Sequence, residues 1–243
     1  MNSQEKIVEM FDKIAPSYDL ANRVLSFGID KSWRKKAVDF VLKKFSNQTI
    51  SIVDMACGTG DMIALWQGRA GFFGAGIKDI VGVDPSSGML EVAQKKFSKS
   101  GVRFINSLAH ESGIEDDFAD IISISYGIRN VKERSATLLE FNRILKPGGY
   151  LLVLEFTKRE KKGFISALRD FYLSKILPKI GGAISKQKEA YEYLPSSIEN
   201  FLDTDSFKTE LKEAGFQVEI AQSFSFGIST MFVAKKVVQL YGA

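Results

Sequence analysis

Five short apolar runs recur along this 243-residue chain, at residues 50–55, 80–83, 102–105, 121–125 and 150–156, each separated from the next by a stretch able to form a helix. Runs this short, rich in Ile and Val, are typical of strands buried on both faces of a sheet. Alternating strand and helix specify a mostly parallel sheet covered on both sides, and right-handed crossovers make the doubly wound open sheet the expected fold. Residues 88–97 and 133–145 read as two of the covering helices, the second stopped by Lys146-Pro147-Gly148-Gly149. Nearer the C-terminus the rhythm changes to a helix over 206–214 and strands at 216–221 and 228–235. The short loop between these strands permits only antiparallel pairing. Apolar spacing predicts further helices over 3–14 and 33–45, with Asp30 or Ser32 as the cap of the second. The expectation is therefore an α/β protein with a seven-stranded, mostly parallel sheet, N-terminal helices and a C-terminal antiparallel hairpin.

The first run leads into VDMACGTGD (residues 53–61), and the second ends at Asp84, 24 residues beyond Gly60. In a doubly wound sheet the turn after the first strand faces the ligand, and an acid about 20 residues on binds ribose hydroxyls. A nucleoside-containing cofactor is implied. A dinucleotide fingerprint would need a third glycine where Ile63 stands. Asp54 and Asp61 would also repel a pyrophosphate, by about 1 kcal/mol at 4 Å even in water. S-adenosylmethionine has no phosphate and carries an ammonium and a sulfonium that an acidic rim attracts. Gly58 and Gly60 would let the backbone approach its methionine portion. No Gly-Lys-Ser/Thr follows the loop, which excludes a Walker site.

Composition narrows the choice further. Thirty-three Lys and Arg against 29 Asp and Glu give a net charge of only +4, which argues against a nucleic-acid partner. The single cysteine, Cys57, and the single histidine, His110, leave no disulfide framework and no Cys/His metal cluster. Cys57 reads as a small packing residue in the turn, and His110 as a solvated loop residue. Glu5, Glu9 and Asp12 occupy positions where a secretory signal would need an apolar core, so the expected compartment is the cytoplasm. No run approaches the roughly 20 apolar residues of a spanning helix.

Several stretches resemble one family closely: FDKIAPSYDLANRVLSFGIDKSWR (11–34), DMACGTGD (54–61), GVDPSSGML (82–90), SYGIRNV (125–131), RILKPGGYLLVLEF (143–156) and YEYLPSSIENF (191–201). The chain is similar, nearly end to end, to the ubiquinone/menaquinone biosynthesis C-methyltransferases of the UbiE/MenG type, which are class I, Rossmann-like S-adenosylmethionine enzymes. The resemblance implies donor-binding roles for Thr59, for Asp84 and Pro85, for Ser125, and for the adenine-contacting pair Leu108-Ala109. Asp54, Gly58 and Gly60 complete that set. The family usually carries Asn or Asp where Leu108 stands, so backbone groups or Asn106 would have to meet the adenine amine. GIEDDFAD (113–120) is a loose version of the family's leucine-proline-phenylalanine loop, and Asp30 replaces a frequent His.

The implied acceptor is a ring carbon of a prenylated hydroquinone, with Arg129 and Asn130 holding the quinol oxygen or a deprotonating water. A phenol with a pKa of about 10 needs a nearby cation to ionise at neutral pH. Arg129 supplies one but, being permanently protonated, cannot take the proton itself. Tyr126 and the Tyr18-Asp19 pair are further candidates on the acceptor side. Residues 158–188 carry nine basic residues against Glu160 and Asp170, a net +7 that leaves −3 on the rest of the chain. Apolar residues at 164, 168, 171, 172 and 176 make this stretch an amphipathic helix candidate for an anionic membrane surface at the inner face of the cell membrane.

The expected organisation is one methyltransferase domain. It comprises a helical lid at 1–46, a donor-binding core at 47–157, the basic insert at 158–205, and the last helix and hairpin at 206–236. The sequence leaves a homodimer open. It also leaves open another phenolic or amine acceptor, or donor binding without catalysis. A nicotinamide oxidoreductase is disfavoured by Ile63 and the acidic loop. A nucleic-acid methyltransferase is disfavoured by the modest charge and the lack of a D/N-P-P-Y motif.

Overall fold

The structure is a computed structural model and describes residues 4–158, 182 and 187–237. The amphipathic helix read at 164–178, and with it most of the basic insert, lies outside those residues. Among the described residues the strands are β1 (Thr49–Met55), β2 (Gly76–Asp84), β3 (Arg103–Asn106), β4 (Ala119–Ser125), β5 (Leu145–Glu155), β6 (Phe216–Phe224) and β7 (Ser229–Lys236). They form one sheet in the order β3-β2-β1-β4-β5-β7-β6. The pairings of β1 with β2 and β4, of β2 with β3 and of β4 with β5 are parallel, and β7 runs antiparallel between β5 and β6.

Helices cover both faces because the strands are apolar on both. Ile50, Ile52, Ile121, Leu152 and Val233 face α3 (Ile29–Leu42) and α4 (Asp61–Ala70). Val53, Met55, Ile122, Ile124 and Val153 face α6 (Arg134–Ile144) and the last described helix, Thr204–Glu213. Successive residues alternate between the two cores, as the two-residue pleat requires. Trp66 on α4 is fully buried and donates from its indole to Ser123 Oγ at 3.0 Å. Ser123 in turn donates to Asp54 Oδ1 at 2.6 Å. Truncation of a buried tryptophan such as Trp66 costs about 3–5 kcal/mol.

A third cluster lies above the carboxyl ends of the strands. There α1 (Gln4–Ile14) buries Ile7, Met10 and Ile14, spaced by three and four residues so that they share one face. With α2 (Tyr18–Leu25) it packs on Met89 of α5 (Ser87–Lys96) and on Ala190 and Tyr191 of α7 (Lys188–Glu199). The helix Thr204–Glu213 is α8.

Two details depart from the sequence reading. Asp30 does not cap α3. The cap position belongs to Gly28, at φ 72, while Asp30 lies buried within the first turn. There its carboxylate binds Arg23 and Arg34 and accepts from Ser26 Oγ at 2.6 Å. Helices α2 and α7 were not anticipated; α7 carries Pro195 in its interior, which ordinarily argues against a helix. In addition, α3 packs into the sheet core, so of the first 46 residues it is α1 and α2 that overlie the strand ends.

Candidate active site

Strand order reverses between β1 and β4, and in an open α/β sheet the crevice at that reversal is where ligands bind. A cavity lies there. Its floor comes from the turns that leave the strands: Ala56 and Gly58 after β1, Asp84 and Pro85 at the end of β2, Leu108 to His110 after β3, and Ser125 to Gly127 with Asn130 after β4. Its roof is apolar, with Ile7, Val8 and Phe11 of α1 and Tyr18 of α2.

The floor is held by buried polar contacts. Asp84 accepts from the Gly58 amide at 2.8 Å through one carboxylate oxygen and from the Ser86 amide at 2.9 Å through the other. Burial nonetheless pushes its pKa up to about 6, and Asp12 adds to the rise. Asp54 is pushed up to about 7 by burial, against the lowering effect of its bond from Ser123. Burial also raises the Cys57 thiol well above its ordinary value, which leaves it inert, as its packing role requires. Gly82 explains how the loop lies so close to β2. A Cβ there would sit 2.9 Å from each of Cys57 Sγ, Ile63 Cδ1 and Phe104 Cδ1.

Of the residues singled out in the sequence, Gly58, Asp84, Pro85, Leu108, Ala109, Ser125, Tyr126, Asn130 and Tyr18 line the cavity together. The Ser125 hydroxyl is buried there without a hydrogen-bond partner, a donor and acceptor turned toward nothing the protein supplies. Asp54, Thr59, Gly60, Asp19 and Arg129 stand behind this lining. Gly60, at φ 88, starts α4. Thr59 donates to Asp19 Oδ1 at 2.5 Å, and Lys96 reaches both Asp19 Oδ2, at 2.6 Å, and the Thr59 carbonyl, at 3.1 Å. These two residues therefore fasten α2 to the glycine loop. Asn106 gives one amide N–H to the Asp84 carbonyl at 3.0 Å and lies outside the cavity lining. His110 lies beside Leu108 and Ala109 in the cavity wall.

Arg129 is not a free cation. Its Nη1 donates to Glu155 Oε1 and to the Tyr126 carbonyl, both at 2.6 Å, and its Nε donates to Ser197 Oγ of α7 at 3.2 Å. Glu155 is fully buried, and desolvation raises its pKa despite the arginine beside it. Asn130 accepts from Tyr193 Oη at 3.2 Å. The Tyr126 ring stacks on Phe156 with centroids 4.5 Å apart, the Arg34 guanidinium lies 4.9 Å from the Tyr126 ring, and that of Arg129 lies 5.4 Å from Phe156. Each ring of the stacked pair thus has an arginine guanidinium beside it. Burial raises the phenol pKa values of both Tyr126 and Tyr18.

Glu155 and Arg34 escaped the sequence reading. The signal for Glu155 was an acid closing an otherwise apolar strand, LLVLEF. Arg34 sits in the basic run KSWRKK, which reads as a solvated face.

The sequence pattern of the ubiE/COQ5 methyltransferase family matches residues 1–236. A ubiquinone/menaquinone biosynthesis C-methyltransferase UbiE of Campylobacter jejuni subsp. jejuni serotype O:6 is 58% identical over 237 residues, covering 98% of this chain and all of the relative. The demethylmenaquinone methyltransferase of Thermotoga maritima is 37% identical, over 95% of this chain and 96% of its own. Among solved structures, a SAM-dependent methyltransferase from Aquifex aeolicus superposes with a TM-score of 0.58 at 17% identity, covering 82% of this chain and 89% of the other. The [4+2]-cyclase SpnF gives a TM-score of 0.66 at 14% identity over 97% of each chain. Such different proteins on one fold show that these structural likenesses speak to architecture alone.

Proposed function

The chain belongs to the ubiE/COQ5 methyltransferase family, and from that membership we propose that it is a C-methyltransferase of quinone biosynthesis. It moves the methyl group of S-adenosylmethionine to a ring carbon of a prenylated hydroquinone. Demethylmenaquinol becomes menaquinol, and 2-methoxy-6-polyprenyl-1,4-benzoquinol is the second acceptor. The observation that carries this reading is the cavity at the strand reversal, with an unpartnered Ser125 hydroxyl, a buried acid at the end of β2 and an apolar roof.

The cavity suits the donor. Each Asp84 oxygen accepts one backbone N–H and keeps a lone pair for a ribose hydroxyl. Ser125 supplies the hydroxyl that nothing else uses. Residues 108–110 line the cavity and Asn106 does not, so this segment meets the adenine through backbone groups. When bound, the sulfonium supplies a methyl group already activated for displacement.

The residues after β4 orient the acceptor. Because Tyr193 donates to Asn130 Oδ1, the Asn130 amide nitrogen is left to donate to the quinol oxygen. Arg129, neutralised by Glu155, acts behind this contact. It fixes the Tyr126 carbonyl and ties the turn to α7 through Ser197, which positions Asn130 for the acceptor. Transfer would join the methyl to the ring carbon as its bond to sulfur breaks, releasing S-adenosylhomocysteine, and the proton of that ring carbon would pass to water as aromaticity returns.

A polyprenyl acceptor resides in a bilayer, so the protein works against an anionic membrane surface, with the basic insert as one contact. No helix among the described residues is long and apolar enough to cross a membrane. Labelled S-adenosylmethionine offered with each quinol in turn tests the function. Label is expected in the recovered quinone, and transfer to neither quinol overturns the reading.

A further inference from the structure

Seven large apolar residues are exposed among the described residues, and four of them fall within ten positions: Leu20 at 60%, Val24 at 41%, Phe27 at 86% and Ile29 at 44%. Leu20 and Val24 share one face of α2, four residues apart. The chain then turns tightly, with Phe27 N–H bonded to the Val24 carbonyl at 3.2 Å and Ile29 N–H to the Ser26 carbonyl at 3.1 Å. The four therefore form one strip over the corner between α2 and α3. Phe27 sits at its tip in the left-handed region, at φ 51, which is costly for an aromatic residue. An unfavourable backbone conformation here holds a phenylalanine out in solvent.

The charges around the strip are one-sided. Lys31, Lys35 and Lys36 on α3 are exposed. The acids of this corner are engaged: Asp19 with Thr59 and Lys96, and Asp30, buried, with Arg23 and Arg34. Only Asp39, shared by Lys35 and Arg69, offsets the lysines, and it lies further along α3. The strip exposes roughly 400 Å², the size of a large monomer surface patch, whereas a stable protein interface needs about 800 Å² on each side. A few apolar side chains with lysines on the adjoining helix match the interfacial region of an anionic bilayer, where burial and headgroup attraction add.

We propose that the α2–α3 corner is the membrane-contact surface of this protein, inserting Phe27, Val24, Leu20 and Ile29 among the acyl chains of an anionic bilayer while Lys31, Lys35 and Lys36 meet its headgroups. The proposal rests on the reading that the acceptor is a lipid-borne quinol. It also deepens that reading, because α2 starts at Tyr18, which lines the cavity, and runs to the tip over about 12 Å. A prenyl tail leaving the apolar roof at Ile7, Val8 and Phe11 would meet the bilayer that α2 touches.

Co-sedimentation of the full chain with vesicles of phosphatidylcholine, alone or with one third phosphatidylglycerol, tests this. The Val24→Ser/Phe27→Ser variant is expected to lose about tenfold of its binding to the anionic vesicles. Lys31→Glu/Lys36→Glu should lose binding to the anionic vesicles only. Phe27→Trp should retain binding and shift its emission to the blue on vesicle addition. Because these side chains are exposed, the thermal unfolding midpoint should not move. Wild-type binding by the serine variant would overturn the proposal, as would a wild-type dimer that the same variant dissociates. Turnover of a soluble, short-chain demethylmenaquinol, expected unchanged in these variants, reports on the methyl-transfer reading separately.

Discussion

The floor and the roof of the cavity are built on different physics. The floor consists of strand ends, where Asp54, Asp84, Asn130, Ser123 and Glu155 are all buried and the Ser123–Asp54 and Ser86–Asp84 contacts are shielded from water. The roof is fastened by polar contacts near the surface: Thr59 and Lys96 to Asp19, and Ser86 Oγ and the Gly88 amide to Asp12 at 2.6 and 2.9 Å. Shielded contacts are costly to break and hold atoms in place, whereas contacts near water exchange partners at little cost. A methyl transfer needs both, a floor that fixes two reactants and a roof that admits a bulky one.

The comparison breaks most readily at Glu155. Glu155→Gln leaves Arg129 buried without a counter-charge, so a loss of about 3–5 kcal/mol in denaturant unfolding is expected, with methyl transfer falling alongside. A stability unchanged by this substitution would mean that the floor is no more rigid than the roof. Asp84→Asn comes next. An amide oxygen replaces only one of the two acceptors, so either Gly58 or Ser86 N–H loses its partner at about 1–3 kcal/mol, and donor affinity should drop at least tenfold by calorimetry.

Asp54 gives a smaller effect that depends on pH. Its folded pKa, near 7, lies above the ordinary carboxylate value, so between about pH 4 and 7 the folded state holds a proton that the unfolded state releases. Its contribution to stability is present at low pH and is lost as pH rises through that window. Asp54→Asn should therefore gain stability relative to wild type from pH 5 to pH 8, and parallel curves would refute the assignment. Ser125→Ala removes a hydroxyl with no protein partner. Unfolding should be unmoved while donor binding weakens several-fold.

Breaking a roof contact should cost less stability than breaking the floor at Glu155 or Asp84. Asp12→Ala should cost about 1 kcal/mol or less, and should change the acceptor KM more than the midpoint of unfolding.

How far the sequence could be read follows the same division. Strand runs and the glycine loop were legible because burial on both faces leaves continuous Ile and Val, and because a turn aimed at a nucleoside needs glycines and an acid at set places. All seven strands fall where apolar runs stood, with ends moved by a few residues. The contacts of Arg129 were not legible: its partners Glu155 and Ser197 lie 26 and 68 residues away, and only the fold brings them together. The role of Asp30 was hidden for a related reason. An acid just before a helix looks like a cap until Arg23 and Arg34 are seen to close on it. Helix α7 was masked by Pro195, whose local penalty is outweighed by packing of Tyr191 and Ile198.

The antiparallel placement of β7 also sets the order in which the molecule can be completed. β7 pairs with β5 on one side and β6 on the other, and both precede it in the chain. While a ribosome is still making residues 229–236, the doubly wound half can already assemble, but β5 presents a bare edge flanked by Leu151 and Val153. Such an edge is an adhesive surface for other nascent chains. Closure of the sheet therefore waits for residues 229–236.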